Sequence, residues 1–169
     1  MHRDRRARRE DSVQAPHLSL AIEQSDRTGF PGGRITLTAE VQLPPDVHVY
    51  APGTQGYKSV ALVMDTTPGM MLTSVNYPRA EVLYLQAIKE RVPVFEGKFR
   101  LTQDLKISSA AEFSNSLGTD GKTFTINGKL NYQACDKTIC YLPTSIPVHW
   151  QLQVLPLDRQ RAPEDIRHK

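Results

Sequence analysis

The 169-residue chain lacks any apolar run approaching the ~18–20 residues of a membrane helix, and its mean hydropathy is −0.42. A membrane-spanning helix is therefore excluded, and no direct membrane insertion is expected. Cysteine is scarce: two residues cannot build a cysteine-rich scaffold, nor alone fill a four-ligand structural zinc site. Charge of one sign is also lacking. The 21 basic and 18 acidic side chains leave a net charge of +3, too mild to imply nucleic-acid binding. Arg3, Arg5, Arg6, Arg8 and Arg9 supply the excess, in a segment without apolar periodicity. Such a run reads as a solvated tail rather than a nucleic-acid or membrane-surface arm. The first residues also lack the ~7–15-residue apolar core of a signal peptide, so no export signal is expected in the chain as written.

Familiar catalytic signatures are missing. There is no Gly-x-Ser-x-Gly, no phosphate-binding glycine loop followed by Lys-Ser/Thr, no His-Glu-x-x-His and no Cys-x-x-Cys. Gly118-Thr119-Asp120-Gly121-Lys122 reads as a hairpin turn. Internal repeats are absent as well.

What is present is a period of two. From Arg34 to Leu43 every odd position is apolar and every even one polar, the pattern of a strand with one face in a core. The same alternation turns Phe124, Ile126, Leu130 and Tyr132 inward, and again Ile146, Val148, Trp150, Leu152 and Val154. Weaker strands are expected at 18–23, 47–51, 58–65, 70–76 and 92–102, with 78–91 a long loop or short helix. Turn signals such as Pro31-Gly32-Gly33, Pro44-Pro45-Asp46 and Pro68-Gly69 punctuate them. Short strands with frequent turns predict an all-β, immunoglobulin-like β-sandwich. It should occupy residues 17–155, between a basic tail over 1–16 and a second tail over 156–169.

Two constellations could carry chemistry. Cys135 follows a strong strand and Cys140 precedes another, so the residues between them should form a hairpin-like tip. Extending the alternation puts Cys135 on the polar face, in phase with Lys129, Asn131 and Gln133. Positions paired across a hairpin come within reach of a disulfide. A bridge over so short a loop should stabilise little, which suits exchange better than stapling. Lys137 would favour a thiolate and Asp136 oppose it. A purely structural disulfide, and a metal half-site completed by His48 or His149, are the other readings of the pair. The second constellation is Asp46-Val47-His48-Val49-Tyr50, where His48 and Tyr50 share one strand face. By itself this predicts a histidine and a tyrosine on the solvent side of a sandwich.

The segment Tyr132-Gln133-Ala134-Cys135, four residues, then Cys140-Tyr141-Leu142-Pro143 resembles the N-terminal periplasmic domain of the thiol:disulfide interchange protein DsbD family. Asp46 to Tyr50 is similar to that family's aromatic-rich early strand. Tyr77-Pro78 and Glu96-Gly97-Lys98-Phe99 fit its central region, so the likeness runs over roughly 18–155. The resemblance implies an immunoglobulin-like domain whose cysteines cycle between dithiol and disulfide without a cofactor, as a protein-disulfide reductase component in the periplasm. By position, Cys140 would attack and form the mixed disulfide, and Cys135 would resolve it. His48 and Tyr50 would flank the pair, with a cap loop within 79–90 and Tyr84 as its lid aromatic. Implied partners are periplasmic thioredoxin-fold proteins, namely disulfide isomerases and cytochrome c maturation reductases. The membrane and thioredoxin-like domains of a DsbD-type protein would supply the electrons. The rival is an immunoglobulin-like binding module with an inert disulfide.

Overall fold

A computed structural model describes residues 12–54, 56–86, 88–108, 117–118 and 120–155. The described chain is all-β. In order, its strands are β1 (Ser12–Ala15), β2 (Leu18–Gln24), β3 (Thr28–Gly29), β4 (Arg34–Gln42) and β5 (His48–Tyr50). β6 (Ala61–Met64), β7 (Met70–Leu72), β8 (Glu81–Leu85) and β9 (Glu90–Glu96) follow. The last are β10 (Lys98–Ile107), β11 (Thr123–Tyr132), β12 (Ala134–Cys135) and β13 (Thr144–Val154).

The long alternating segments form the sandwich. One sheet has the order β1-β2-β4-β10-β7 and a second the order β3-β13-β11-β6. Ile35, Leu37, Ala39 and Val41 of β4 are buried, as are Phe124, Ile126, Leu130 and Tyr132 of β11 and all five alternating apolar residues of β13. The expected inward faces are therefore the observed ones, and the fold is an immunoglobulin-like β-sandwich. Its two large polar-tipped core residues are satisfied through backbone carbonyls. Trp150 Nε1–H donates to the Glu23 carbonyl at 2.8 Å, and the Tyr132 hydroxyl to that of Pro16 at 2.6 Å. Gly128 answers a close approach: a Cβ there would lie 2.7 Å from the Val63 carbonyl oxygen on β6.

A third sheet, β12-β5-β9-β8, grows from one end of the sandwich. Three of its four strands, all but β8, are continuous with a sandwich strand across a break. β9 runs into β10 through Gly97 alone, β11 into β12 through Gln133, and β4 into β5 through residues 43–47. Gln42 pairs with Lys98 but His48 pairs with Glu96, so five residues bulge out opposite one. Pro44-Pro45-Asp46 accounts for the bulge, and Gly97 turns the other strand with φ of +66°. Strands from both sandwich sheets thus meet as the β5–β12 pair.

Three local expectations change. Ser12–Ala15, expected in a tail, forms β1 against β2, because Val13 and Ala15 pack on the core edge. Residues 1–11 and 156–169 lie outside the described residues. The segment 78–91, expected as loop or helix, contains β8, paired antiparallel to β9; as an outer strand it shows little alternation. The expected strand at 92–102 is two strands, divided at Gly97.

Candidate functional site

The third sheet carries the cysteines. Cys135 and Cys140 are joined by a disulfide, with Cα atoms 3.9 Å apart. Asp136 N–H donates to the Ile139 carbonyl and Tyr141 N–H to that of Ala134, at 2.9 and 2.8 Å. The cysteines therefore occupy the non-hydrogen-bonded position between two backbone hydrogen bonds, where facing side chains approach most closely. Asp136 holds the tip shut. Its Oδ1 accepts from the amides of Thr138 and Ile139 at 2.7 and 2.8 Å, and its Oδ2 from the Tyr141 hydroxyl at 2.6 Å. The Tyr141 bond is the main cause holding the Asp136 carboxyl well below its ordinary range, with the two amides adding to it. Tyr141 in turn stacks on His17, ring centroids 3.6 Å apart.

The two sulfurs sit in unequal surroundings. Cys135 is 1% exposed, whereas Cys140 is exposed. The alternation that put Cys135 on the polar face does not hold: β11 ends at Tyr132, Gln133 interrupts it, and both Ala134 and Cys135 are buried. Ala134 faces the sandwich core and Cys135 joins a smaller cluster with Tyr50, Val92 and Val94.

His48 and Tyr50 are likewise buried, at 3% and 2% exposure, not on a solvent face. β5 is covered on both sides: Val49 packs into the sandwich, while His48 and Tyr50 share the face of Cys135. Tyr50 reaches both sulfurs, its Oη 3.5 Å from Cys140 Sγ and 3.6 Å from Cys135 Sγ. Since disulfide sulfurs carry no proton, the hydroxyl is the donor. Burial, helped by neighbouring Tyr57, pushes the Tyr50 pKa up, which keeps that donor protonated. Tyr57 stacks on Tyr50 with centroids 4.6 Å apart.

His48 lies opposite Cys135 in the β5–β12 register and meets the edge of the Tyr50 ring at 5.7 Å. Burial lowers its pKa, and the Asp136 carboxylate acts in the opposite direction. Lys137 turns to Asp46, at 3.4 Å.

Thus the structure brings Cys135, Cys140, His48 and Tyr50 together, but not Tyr84 over the sulfurs. Tyr84 is on β8, where Leu83 and Leu85 turn toward the Tyr50 cluster and Tyr84, between them, is half exposed. The ring stacked on Tyr50 is Tyr57, which sequence reading missed; nothing local in Gly56-Tyr57-Lys58 signals the contact. His149 is exposed on β13 opposite Asn127, away from the tip. Among the described residues, no group of three or more His, Cys, Asp or Glu side chains could hold a metal ion.

A β-sandwich that presents one exposed and one buried cysteine in a short hairpin disulfide defines an immunoglobulin-like domain equipped for thiol chemistry. The sequence pattern of the family described as thiol:disulfide interchange protein DsbD, N-terminal, matches residues 20–148, and the chain belongs to that family. Comparison with curated proteins gives no match. Among solved structures, the N-terminal periplasmic domain of ScsB from Proteus mirabilis is similar, with a TM-score of 0.57 and 15% identity. The match covers 94% of this chain and 57% of that one, so this chain spans little over half that domain's length. The reduced DsbD N-terminal domain of Neisseria meningitidis gives a TM-score of 0.44 and 13% identity, over 79% of this chain and 90% of that one. No helix among the described residues is long and apolar enough to cross a membrane.

Proposed function

We propose that this domain relays electrons by thiol–disulfide exchange through Cys135 and Cys140 to oxidised thioredoxin-fold proteins of the periplasm. The observation that carries the reading is the asymmetry of the pair: Cys140 exposed, Cys135 buried beside it, the Tyr50 hydroxyl within reach of both. In the reduced domain the Cys140 thiolate attacks a partner disulfide, forming a mixed disulfide and releasing one partner thiolate. Cys135 then attacks Cys140 Sγ, the Cys135–Cys140 bond forms, and the second partner thiolate leaves. The domain is oxidised by two electrons and the partner reduced by two. Burial supports this division of labour, because a partner sulfur has access to Cys140 and not to Cys135.

Ile139 and Leu142, on either side of Cys140, are 56% and 85% exposed. They form an apolar collar suited to the surface around a thioredoxin-fold active site. Disulfide isomerases and cytochrome c maturation reductases are the partner types this reading favours. The electrons would come from the thioredoxin-like domain of a DsbD-type membrane protein. No cofactor enters the exchange.

The test is a trap. Reduced Cys135→Ala protein mixed with an oxidised thioredoxin-fold protein should accumulate a mixed disulfide through Cys140, and Cys140→Ala should not. Absence of the adduct from Cys135→Ala, with the wild-type pair resisting reduction below about −300 mV, would mark an inert structural bond and overturn the reading.

A further inference from the structure

Cys135 must lose its proton before it can resolve a mixed disulfide, yet at 1% exposure it has no direct contact with bulk water. A buried thiol in apolar surroundings is also a weak acid. Resolution from this position therefore needs a proton acceptor within the fold.

His48 meets that need. It stands directly opposite Cys135 in the β5–β12 pair, with both side chains on one face, where paired Cβ atoms lie roughly 4.5–5.5 Å apart. Its Nε2 is buried and has no hydrogen-bond partner among the described residues. Leaving a buried polar atom without a partner is unfavourable, so its persistence asks for an explanation. The oxidised site supplies one, because a disulfide sulfur has no hydrogen to donate. Reduction frees the Cys135 sulfur from Cys140 and gives it an S–H on the sheet face that carries His48.

We propose that His48 is the general base of the resolving step, accepting the Cys135 thiol proton at Nε2. This deepens the exchange reading and rests on it. In the step, the Cys135 S–H bond breaks and its proton passes to the imidazole. The sulfur's electron pair forms the bond to Cys140 Sγ, and the Cys140–partner bond breaks with its pair leaving on the partner thiolate. The imidazolium then returns its proton to solvent. An exit is at hand, since His48 lines a groove of about 890 Å³ with Asp46, Glu81, Glu96 and Lys137 at its walls.

The charged and titratable groups facing His48 define its working range. Asp46 and Tyr50 come from its own segment, Cys135, Asp136 and Lys137 from β12 and the tip, Glu96 from β9 and Glu81 from β8. Burial outweighs Asp136 and holds the imidazole pKa below its ordinary value, so near pH 7 the ring is neutral and free to accept a proton.

Stopped-flow reaction of the reduced domain with dithiobis-nitrobenzoate separates the steps. Attack by Cys140 releases one coloured thionitrobenzoate, and resolution by Cys135 releases a second. In the wild type the second phase should slow as pH falls through a midpoint below the ordinary histidine value. His48→Gln, which keeps polarity, and His48→Phe, which keeps an aromatic ring, should both slow that phase about 100-fold and abolish the midpoint, with the first phase unchanged. A second phase in His48→Gln with wild-type rate and pH profile would overturn the assignment. So would equal slowing of both phases with a lowered melting temperature, which marks a structural role. Failure of Cys135→Ala to give the first release would instead overturn the exchange reading itself.

Discussion

Replacing Tyr50 by Phe isolates one atom of the site. The ring keeps its stack on Tyr57 at 4.6 Å and its place in the buried cluster, so only the hydroxyl is removed. That hydroxyl is 3.5 Å from Cys140 Sγ, a long contact for a neutral sulfur but one that strengthens when the sulfur becomes a thiolate. Hydrogen bonds to charged groups contribute about 1.5–3 kcal/mol. The lower end suits this distance, and the hydroxyl is shared with Cys135. About 1.5 kcal/mol corresponds to roughly one pKa unit. Tyr50→Phe should therefore raise the Cys140 thiol pKa by about one unit. Where Cys140 is ionised, the loss also destabilises the dithiol form and makes the reduction potential more negative by about 30 mV. The assay is the pH dependence of iodoacetamide alkylation in a Cys135→Ala background, where Cys140 is the sole thiol. An unmoved midpoint, in a variant with the parent's melting temperature, would refute the argument that Tyr50 stabilises the thiolate.

Two further outcomes follow from the core and from titration. Trp150→Ala should lower stability by about 3–5 kcal/mol, since the indole is 2% exposed and its N–H satisfies the Glu23 carbonyl; a loss of unfolding free energy in urea under about 1 kcal/mol would contradict this packing role. In acid, stability should decline in two windows. His48 has a folded pKa below its ordinary 6.5, so the unfolded chain binds the proton first and stability falls as pH drops beneath that value. Asp136, held below its ordinary 3.8, produces a further decline only below that point. Thermal melts of His48→Phe should lose the upper window and keep the lower; an unchanged upper window would show that His48 is not its source.

The sandwich was legible because its strands are half buried. A strand with one wet face writes a period of two, and a helix would scatter the apolar side chains of Arg34 to Leu43 or Ile146 to Val154 around its whole circumference. The third sheet breaks that rule. β5 is buried on both faces, so His48-Val49-Tyr50 carries no alternation that distinguishes a solvent face from a second buried cluster. The phase of Cys135 failed for a related reason: Gln133 ends one sheet and begins another, and a phase counted along β11 does not survive the junction. β8 escaped notice as an outer strand that leaves Val82 and Tyr84 exposed. The lid aromatic expected at Tyr84 and the stack observed at Tyr57 differ because such contacts are set by long-range register. The Asp136 lock, by contrast, was within reach of sequence reasoning, since an aspartate opening a tight turn commonly accepts from amides two or three residues on.

The separation of sandwich and cysteine sheet has an energetic consequence. In the chain-entropy model a bridge with a sequence separation of 5 stabilises by about 2 kcal/mol, against a total of roughly 5–15 kcal/mol for a domain. Cys135 packs with Tyr50, Val92 and Val94, outside the main core that holds Trp150, Tyr132 and the long alternating strands. Opening the bond therefore removes a minor share of that total, and from a cluster outside the main core. Asp136 and the two backbone hydrogen bonds around the cysteines still hold the hairpin in register, so the freed sulfurs stay face to face. The proposed exchange needs this arrangement: a scaffold whose main core lies apart from the bond, and a local lock that keeps the bond's two halves aligned to re-form.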